Sequence, residues 1–230
     1  MDVFREINHT NFVSFSGIDG AGKSTQIEAL CMRLKKNGLR ILLIRFWDDI
    51  AKLTRLREGA GHRIFKGDHG VGSPSAPINR QDKNVKSWVM TWVRLFLYFM
   101  DAFSTRQAAR RALRPEVDLV IFDRYMYDEL ANLTLHNLVI RVYVKLIMKI
   151  VPRPHISFLL DADPVKARAR KPEYPIEFLR TNRRSYLTLS ELVGGMTVIH
   201  PMSIEKVEHA ILTYVLNRLS FRAPSTEEPS

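Results

Sequence analysis

The feature that most constrains this chain is a glycine-rich segment near its start, GIDGAGKS at residues 17–24. It fits the pattern G-x-x-x-x-G-K-S/T, in which backbone amides surround a phosphate group. The apolar run Phe12–Ser16 before it predicts a buried strand, and the apolar periodicity of Thr25–Lys36 after it predicts a helix. Strand, glycine loop and helix in this order indicate a phosphate-binding site at the positive end of the helix.

The residue types in this loop indicate a nucleoside triphosphate as the ligand. Gly17, Gly20 and Gly22 allow backbone N–H groups to converge on an anion without interference from Cβ atoms. Lys23 is expected to reach the β- and γ-phosphates, and Ser24 supplies a hydroxyl for Mg²⁺. We therefore predict a triphosphate site that also takes Mg²⁺.

Five short apolar segments predict the strands of an α/β fold. Helical patterns separate them, and this alternation is typical of a mostly parallel sheet. The predicted strands are Phe12–Ser16, Arg40–Ile44, Leu119–Phe122, Ile156–Leu160 and Thr197–Ile199. After the first helix, further helices are predicted at 83–113 and 131–150, in a short stretch that Asp163 opens, and at 176–193.

Length and composition predict a single domain over residues 1–220, because 230 residues with 46% hydrophobic content suffice for one core. Residues 58–83, rich in glycine, proline and charge, are predicted to form a long loop, and 221–230 a disordered tail. One cysteine excludes a disulfide within the chain. We expect no signal peptide, no membrane span and a reducing, cytoplasmic location.

The chain is basic, since lysine and arginine exceed aspartate and glutamate by 11. A basic enzyme surface that attracts phosphate-rich substrates accounts for this balance, and binding to nucleic acid or a membrane surface is the alternative. We expect neither a nucleic acid nor a membrane as partner. A steep salt dependence of affinity for DNA or RNA would reverse that expectation.

An Asp-Arg pair follows the third predicted strand. Asp123 ends the apolar run 120–122 and, beside a phosphate loop, is suited to hold Mg²⁺ directly or through water. Arg124 follows at once, and its guanidinium is suited to clamp a second phosphate with two hydrogen bonds.

Two further groups each allow two interpretations. Arg168, Arg170 and Lys171 lie in a proline-bounded segment, either as a solvated helix face or as a lid, at about 164–176, that closes over the triphosphate. Asp19 lies inside the loop, where a carboxylate near phosphates is costly. It is expected to accept a hydrogen bond from a substrate hydroxyl or to order the metal shell, unless it only keeps the loop soluble.

An aromatic stripe marks the helix predicted at 83–113. Its members recur every three or four residues and therefore share one side of the helix. They are Trp88, Trp92, Phe96, Phe99 and Phe103. We expect most of them to pack in the core, with one or two lining a pocket and stacking on a base.

These motifs together resemble the thymidylate kinase family. The matching segments are the loop with its acid at position 19, the Asp-Arg-Tyr at 123–125, the arginines within 168–170, and the stretches 182–187 and 198–207. The likeness runs in order from about residue 11 to 217. It implies a three-layer P-loop NTPase fold, with a five-stranded parallel sheet flanked by helices.

The resemblance also implies an activity, namely Mg²⁺-dependent transfer of the γ-phosphate of ATP to a nucleoside monophosphate. Thymidine monophosphate is the first candidate acceptor, and a homodimer is the implied assembly. Lys23, Ser24 and Thr25 would hold the ATP phosphates and Mg²⁺. Asp19 would meet the acceptor's sugar hydroxyl, and Arg124 would hold its phosphate.

Further site residues follow from the same resemblance. Gly20 stands where some members have an arginine, and members without it supply one from the lid, which agrees with Arg168 and Arg170. Phe99 falls near the position of a phenylalanine that stacks on thymine. Tyr186 lies in the helix after the lid, and we predict that it binds substrate.

The acceptor side (residues 45–49, 99–106 and 124–129) departs from the family. An arginine is absent near 102–103, where Asp101 and Arg106 are the nearest charges, and MYDE at 126–129 replaces the usual small residues. RFWDD at 45–49 stands where a proline-containing turn is common. A neutral acceptor such as a nucleoside is therefore the alternative within the kinases. An ATP-binding regulatory or nucleic-acid-associated protein is the alternative outside them.

Overall fold

A parallel sheet of five strands, in the order β2-β3-β1-β4-β5, forms the centre of the described structure. The computed structural model describes residues 10–50 and 88–219. The strands are β1 (Asn11–Ser16), β2 (Ile41–Arg45), β3 (Leu119–Asp123), β4 (Ile156–Leu160) and β5 (Met196–Ile199). The predicted α/β class with a five-stranded parallel sheet is confirmed, and each strand lies within a residue of its predicted bounds.

Helices cover both faces of this sheet and make three layers. They are α1 (Lys23–Lys36), α2 (Trp88–Ala112), α3 (Met126–Leu130), α4 (Leu138–Ile150), α5 (Pro164–Arg170), α6 (Ile176–Val193) and α7 (Ile204–Arg218), with a π-helical turn at Phe46–Ile50. Successive residues of a strand point to opposite faces. Phe12 of β1 accordingly packs in the core beneath α2 to α6, and Val13 packs in the core beneath α1 and α7.

The start of α4 corrects one prediction. A single helix over 131–150 is wrong, because residues 131–137 form turns and α4 begins at Leu138. Asn137 sets this start, since its side-chain oxygen accepts hydrogen bonds from the backbone N–H groups of Val139 and Ile140. Such an asparagine cap satisfies amides that the first turn leaves without partners.

The aromatic stripe on α2 corrects another. Core packing is wrong for the four members whose side chains are described, since Trp92, Phe96, Phe99 and Phe103 are 46–62% exposed. The opposite side of α2 faces the sheet. Its buried apolar residues are Leu95, Tyr98, Ala102, Ala109 and Ala112.

Two predicted segments, the loop at 58–83 and the tail at 221–230, lie outside the described residues. Among the helices that the structure describes, none combines the length and apolar character needed to cross a bilayer.

Candidate active site

The carboxyl ends of the central strands bring the glycine loop and the Asp123–Arg124 segment together. Phe15 near the end of β1 pairs with Asp123 at the end of β3, and Ser16 pairs with Leu159 of β4. The glycine loop that follows Ser16 therefore emerges between these two neighbouring strands. In open parallel sheets ligands bind at this edge.

The glycine loop is packed too closely for side chains at two positions. A Cβ atom on Gly17 would lie 2.5 Å from the carbonyl oxygen of Leu160, and Gly17 has a φ of +142°. A Cβ atom on Gly20 would lie 2.3 Å from the carbonyl oxygen of Ala167 in α5, and Gly20 has a φ of +80°. The backbone of α5 thus occupies the space that a side chain at position 20 would need.

Lys23 begins α1 and is buried, with 6% of its surface exposed. Its Nζ donates hydrogen bonds to the carbonyl oxygens of Gly17, at 2.7 Å, and Ile18, at 3.0 Å. Burial, together with the positive charge of Arg124, lowers the pKa of Lys23 to about 8 against the opposing effect of Asp128 and other carboxylates. An ammonium group that has lost its hydration in this way gains from a phosphate partner.

Ser24 and Thr25 follow Lys23 and are exposed in the first turn of α1. No side chain caps this turn, and it contains no acidic residue, so its positive end is open to an anion. Asp123 is half-buried at the end of the adjacent strand. A hydroxyl and a carboxylate at this edge are hard oxygen ligands, which suit Mg²⁺ when phosphate oxygens complete the set.

The helix α5 lies directly against the loop. Asp163 caps it by accepting hydrogen bonds from the N–H groups of Val165 and Lys166, both at 3.0 Å. Nη1 of Arg170 lies 3.7 Å from the point that a Cβ atom on Gly22 would occupy. Arg168 is half-buried on the same helix. The predicted short helix is confirmed, and it brings Arg170 over the phosphate loop.

Arg124 joins the loop to the acceptor side. Its Nη2 donates to Oδ1 of Asp19, and its Nη1 lies 3.6 Å from Oδ1 of Asp128. Burial alone would lower the pKa of Arg124, but these two carboxylates outweigh it and raise that pKa. The same pairing, with help from Lys23, lowers the pKa of Asp19 although burial opposes the change. Both groups are therefore charged at neutral pH.

The backbone of Arg124 is unusual. It has a φ of +67°, the one positive φ among the described residues other than glycine. Its N–H donates to the carbonyl oxygen of Phe15 at 3.0 Å. A left-handed conformation costs a residue with a side chain about 1–2 kcal/mol, and such strain is typical of functional sites.

Asp128 organises the residues behind Arg124. It is buried, with 3% of its surface exposed. Its Oδ2 accepts from Ser16 Oγ at 2.7 Å and from the N–H of Tyr125 at 3.1 Å, and its Oδ1 accepts from the Tyr186 hydroxyl at 2.7 Å. The sequence shows Asp128 only as a departure from the family pattern. Its place four residues after Arg124, in a helical pattern, was the available signal.

Two predicted substrate residues lie elsewhere than the loop. Phe99 lies on the exposed side of α2, 46% exposed, and its stacking on a base stays a prediction. Tyr186 lies in α6, is 4% exposed, and already uses its hydroxyl on Asp128. Tyr186 therefore holds Asp128 in place on the acceptor side. Its direct contact with a substrate stays a prediction.

An ion pair between Arg183 and Asp161, which fixes α6, was not predicted from the sequence. Nε and Nη2 of Arg183 donate to the two carboxylate oxygens of Asp161, at 2.6 and 2.7 Å. Asp161 directly follows β4, so this pair fixes the helix that carries Tyr186 to the same edge of the sheet as the loop. Bidentate arginine–carboxylate pairs of this kind are among the more specific contacts in proteins.

Comparisons with known sequences agree with the motifs. No protein-family model matches the chain. A protein of Pyrococcus abyssi described as "Probable thymidylate kinase" is 28% identical over 221 residues, which cover 90% of this chain and 97% of its own length. A protein of Thermococcus onnurineus with the same description is 28% identical over 223 residues, which cover 90% of this chain and 98% of its own.

A comparison with solved structures agrees as well. The crystal structure of thymidylate kinase from Ehrlichia chaffeensis superposes with a TM-score of 0.54 at 19% identity, covering 90% of this chain and 98% of that one. This likeness concerns the fold and confirms the P-loop NTPase architecture. Over about nine-tenths of its length, this chain is therefore similar to proteins described as probable thymidylate kinases, and it shares its fold with a solved thymidylate kinase.

Proposed function

We propose that this protein is a phosphotransferase that moves the γ-phosphate of ATP, with Mg²⁺, to a nucleoside monophosphate, with thymidine monophosphate as the first acceptor. One observation carries the proposal: the buried Lys23 of the loop and the Asp19–Arg124 pair meet at one edge of the sheet. Proteins described as probable thymidylate kinases that match nearly the whole chain support it.

The donor chemistry rests on the loop. Lys23 would exchange its carbonyl partners for phosphate oxygens, and Thr25 would add a hydroxyl to them. Ser24 and Asp123 would hold Mg²⁺, which supplies positive charge to the phosphates when bound. The described residues contain no group of three or more His, Cys, Asp or Glu that could hold a metal, which fits an ion completed by phosphate oxygens and water.

The arginines of α5 would act on the transferred group. Arg170 lies over the loop, and Arg168 lies on the same helix, whose backbone touches Gly20. Guanidinium groups in this place would offset negative charge as it develops on the γ-phosphoryl group, and the packed helix would exclude water. The backbone of α5 leaves no space for an arginine at position 20 of the loop. This supports the assignment of the role to the arginines of α5 instead.

Acceptor binding would exchange partners at Arg124. Nη2 of Arg124 donates a hydrogen bond to Asp19 in the structure. An acceptor with a sugar hydroxyl would draw Asp19 to that hydroxyl, and the freed guanidinium edge would hold the acceptor phosphate. The transferred phosphorus then bonds to an oxygen of that phosphate as its bond to the β–γ bridging oxygen breaks, and ADP leaves.

A nucleoside is the second candidate acceptor. Two carboxylates, Asp19 and Asp128, already lie next to the one guanidinium of Arg124. An uncharged acceptor would bring no further anion to this guanidinium and would still present a hydroxyl. Transfer to a hydroxyl forms its oxygen–phosphorus bond, breaks the bond to the β–γ bridging oxygen, and releases the hydroxyl proton to water.

A homodimer and a cytoplasmic location belong to the same proposal. The exposed apolar face of α2 supports the dimer, since neighbouring exposed apolar side chains on one helix are typical of an interface. Its members are Trp92, Val93, Phe96, Phe99, Met100 and Phe103. Phe96→Glu should convert a dimer to a monomer in light scattering, while Met32→Glu, at a 72% exposed position of α1, should not. A wild-type monomer would reject the dimer.

The activity is tested with ATP, Mg²⁺ and a panel of nucleosides and nucleoside monophosphates, by product analysis. We expect ADP and a phosphorylated acceptor in equal amounts, and no transfer by Arg124→Ala. Arg114→Ala, an exposed arginine between α2 and β3, is the control and should behave as wild type. Absence of acceptor-dependent ADP formation across the panel would reject the proposal.

A further inference from the structure

Asp128 is a buried carboxylate that the reaction as described does not use. The contacts of its carboxylate lead to the site: Ser16 ends β1 before the loop, Tyr125 and Arg124 follow Asp123, and Tyr186 lies on α6. A carboxylate with 3% exposure needs hydrogen-bond donors and a cation to remain buried. Ser16, Tyr125 and Tyr186 provide three donors. Arg124 is the cation, at 3.6 Å, and the charge of Lys23 adds to it.

This placement makes Asp128 a fixed counter-ion. Asp19, by contrast, is 17% exposed at its side chain and lies in the loop, where an acceptor hydroxyl can draw it away from Arg124. Asp128 cannot leave in the same way, because its two oxygens are held from β1, from Tyr125 just before α3, and from α6. Its negative charge therefore stays next to Arg124 while an acceptor binds.

The negative charge of Asp128 affects charged and uncharged acceptors differently. A phosphate dianion that approaches Arg124 meets the repulsion of Asp128 a few ångströms behind the guanidinium, and like charges at such distances in a partly buried site repel strongly. An uncharged hydroxyl acceptor meets no such repulsion. The effect of Asp128 on affinity should therefore depend on the charge of the acceptor.

We propose that Asp128 is a specificity-determining residue, which biases the acceptor site away from dianionic monophosphates and toward uncharged hydroxyl acceptors. This inference rests on the proposed phosphotransfer. It assigns the preference between the two candidate acceptors to one side chain. A purely structural role for Asp128 would instead change the use of both acceptors by the same factor.

The experiment compares thymidine with thymidine monophosphate, using the full chain with ATP and Mg²⁺. Each is measured by kcat/KM and, independently of turnover, by calorimetric affinity. For the wild type we expect the phosphate group to improve affinity by no more than about tenfold. In Asp128→Asn, which keeps the size of the side chain and one of its two acceptor oxygens, the ratio of monophosphate to nucleoside should rise by about tenfold or more.

The controls separate the possible failures. Asp118→Asn removes a carboxylate that pairs with the exposed Arg40 beside the amino end of β3, and its ratio should equal that of the wild type. If Asp128→Asn does not fold, the wild-type affinities decide alone, and a hundredfold advantage of the monophosphate overturns the inference. An unchanged ratio in folded Asp128→Asn overturns it too. Absence of turnover with both acceptors rejects the proposed reaction, while the affinity ratio still tests Asp128.

Discussion

The donor side (residues 17–25 and 163–171) and the acceptor side of the site are held by different kinds of contact. On the donor side, backbone meets backbone: Gly17 touches Leu160, and Gly20 touches Ala167. On the acceptor side, charged side chains are held by residues from distant segments, as Arg124 is by Asp19 of the loop. Local backbone geometry has a sequence signature in glycine spacing, whereas contacts between charges from distant segments have none until the chain folds.

The first prediction concerns the donor side and has the largest expected effect. Lys23→Ala removes the cation that would follow the transferred phosphate, so transfer should fall by at least about a thousandfold. Lys36→Ala, at the exposed end of α1, is the matched control and should act as wild type. Rates are measured at saturating acceptor, with circular dichroism to verify folding. Near-normal turnover would place the donor site elsewhere.

The second prediction tests the packing of α5 on the loop. Gly20→Ala and Gly38→Ala replace glycines of nearly equal φ, +80° and +81°, so both bear a similar backbone cost of about 1–2 kcal/mol. The two positions differ in their surroundings. A Cβ atom on Gly20 would lie 2.3 Å from the carbonyl oxygen of Ala167, whereas nothing lies within 4 Å of a Cβ atom on Gly38. Gly20→Ala should therefore displace α5 and lower kcat/KM about a hundredfold beyond the control. Equal effects would show that α5 does not serve the reaction.

The third prediction concerns the acceptor side and has the smallest effect. Tyr186→Phe removes one hydrogen bond to the buried Asp128 and should lower the free energy of unfolding by about 1–3 kcal/mol. Transfer should fall only about three- to tenfold, since Ser16 and Tyr125 still hold Asp128. Urea unfolding and initial rates measure the two effects. Tyr214→Phe, on the partly exposed face of α7, is the control and should change neither.

Much of the fold follows from local patterns. Alternating apolar segments predict the strands within a residue, and Asp163 before Pro164 predicts α5, because capping and proline chemistry act over a few residues. The exposed stripe of α2 could not be predicted in this way. Helical periodicity shows that Phe96 and Phe103 share a side, but only tertiary packing decides which side is covered.

The same limit applies to the site. Lys23 and Ser24 were predictable, since the loop motif specifies both the residue and its surroundings. The burial of Asp128 was not, because it depends on Ser16 and Tyr186, which lie 112 and 58 residues away in the chain. No local rule connects these residues. The acceptor side is therefore the part of the molecule where experiment adds most.

One measurement tests the central claim most directly: following the label from γ-labelled ATP in the presence of Mg²⁺, thymidine monophosphate and, separately, thymidine. We predict that the label appears on an acceptor, one for each ADP formed, and that Lys23→Ala and Arg124→Ala abolish it. Tight binding of ATP with no label on either acceptor would contradict the account, because the loop would then bind a nucleotide without serving phosphate transfer to a thymidine compound.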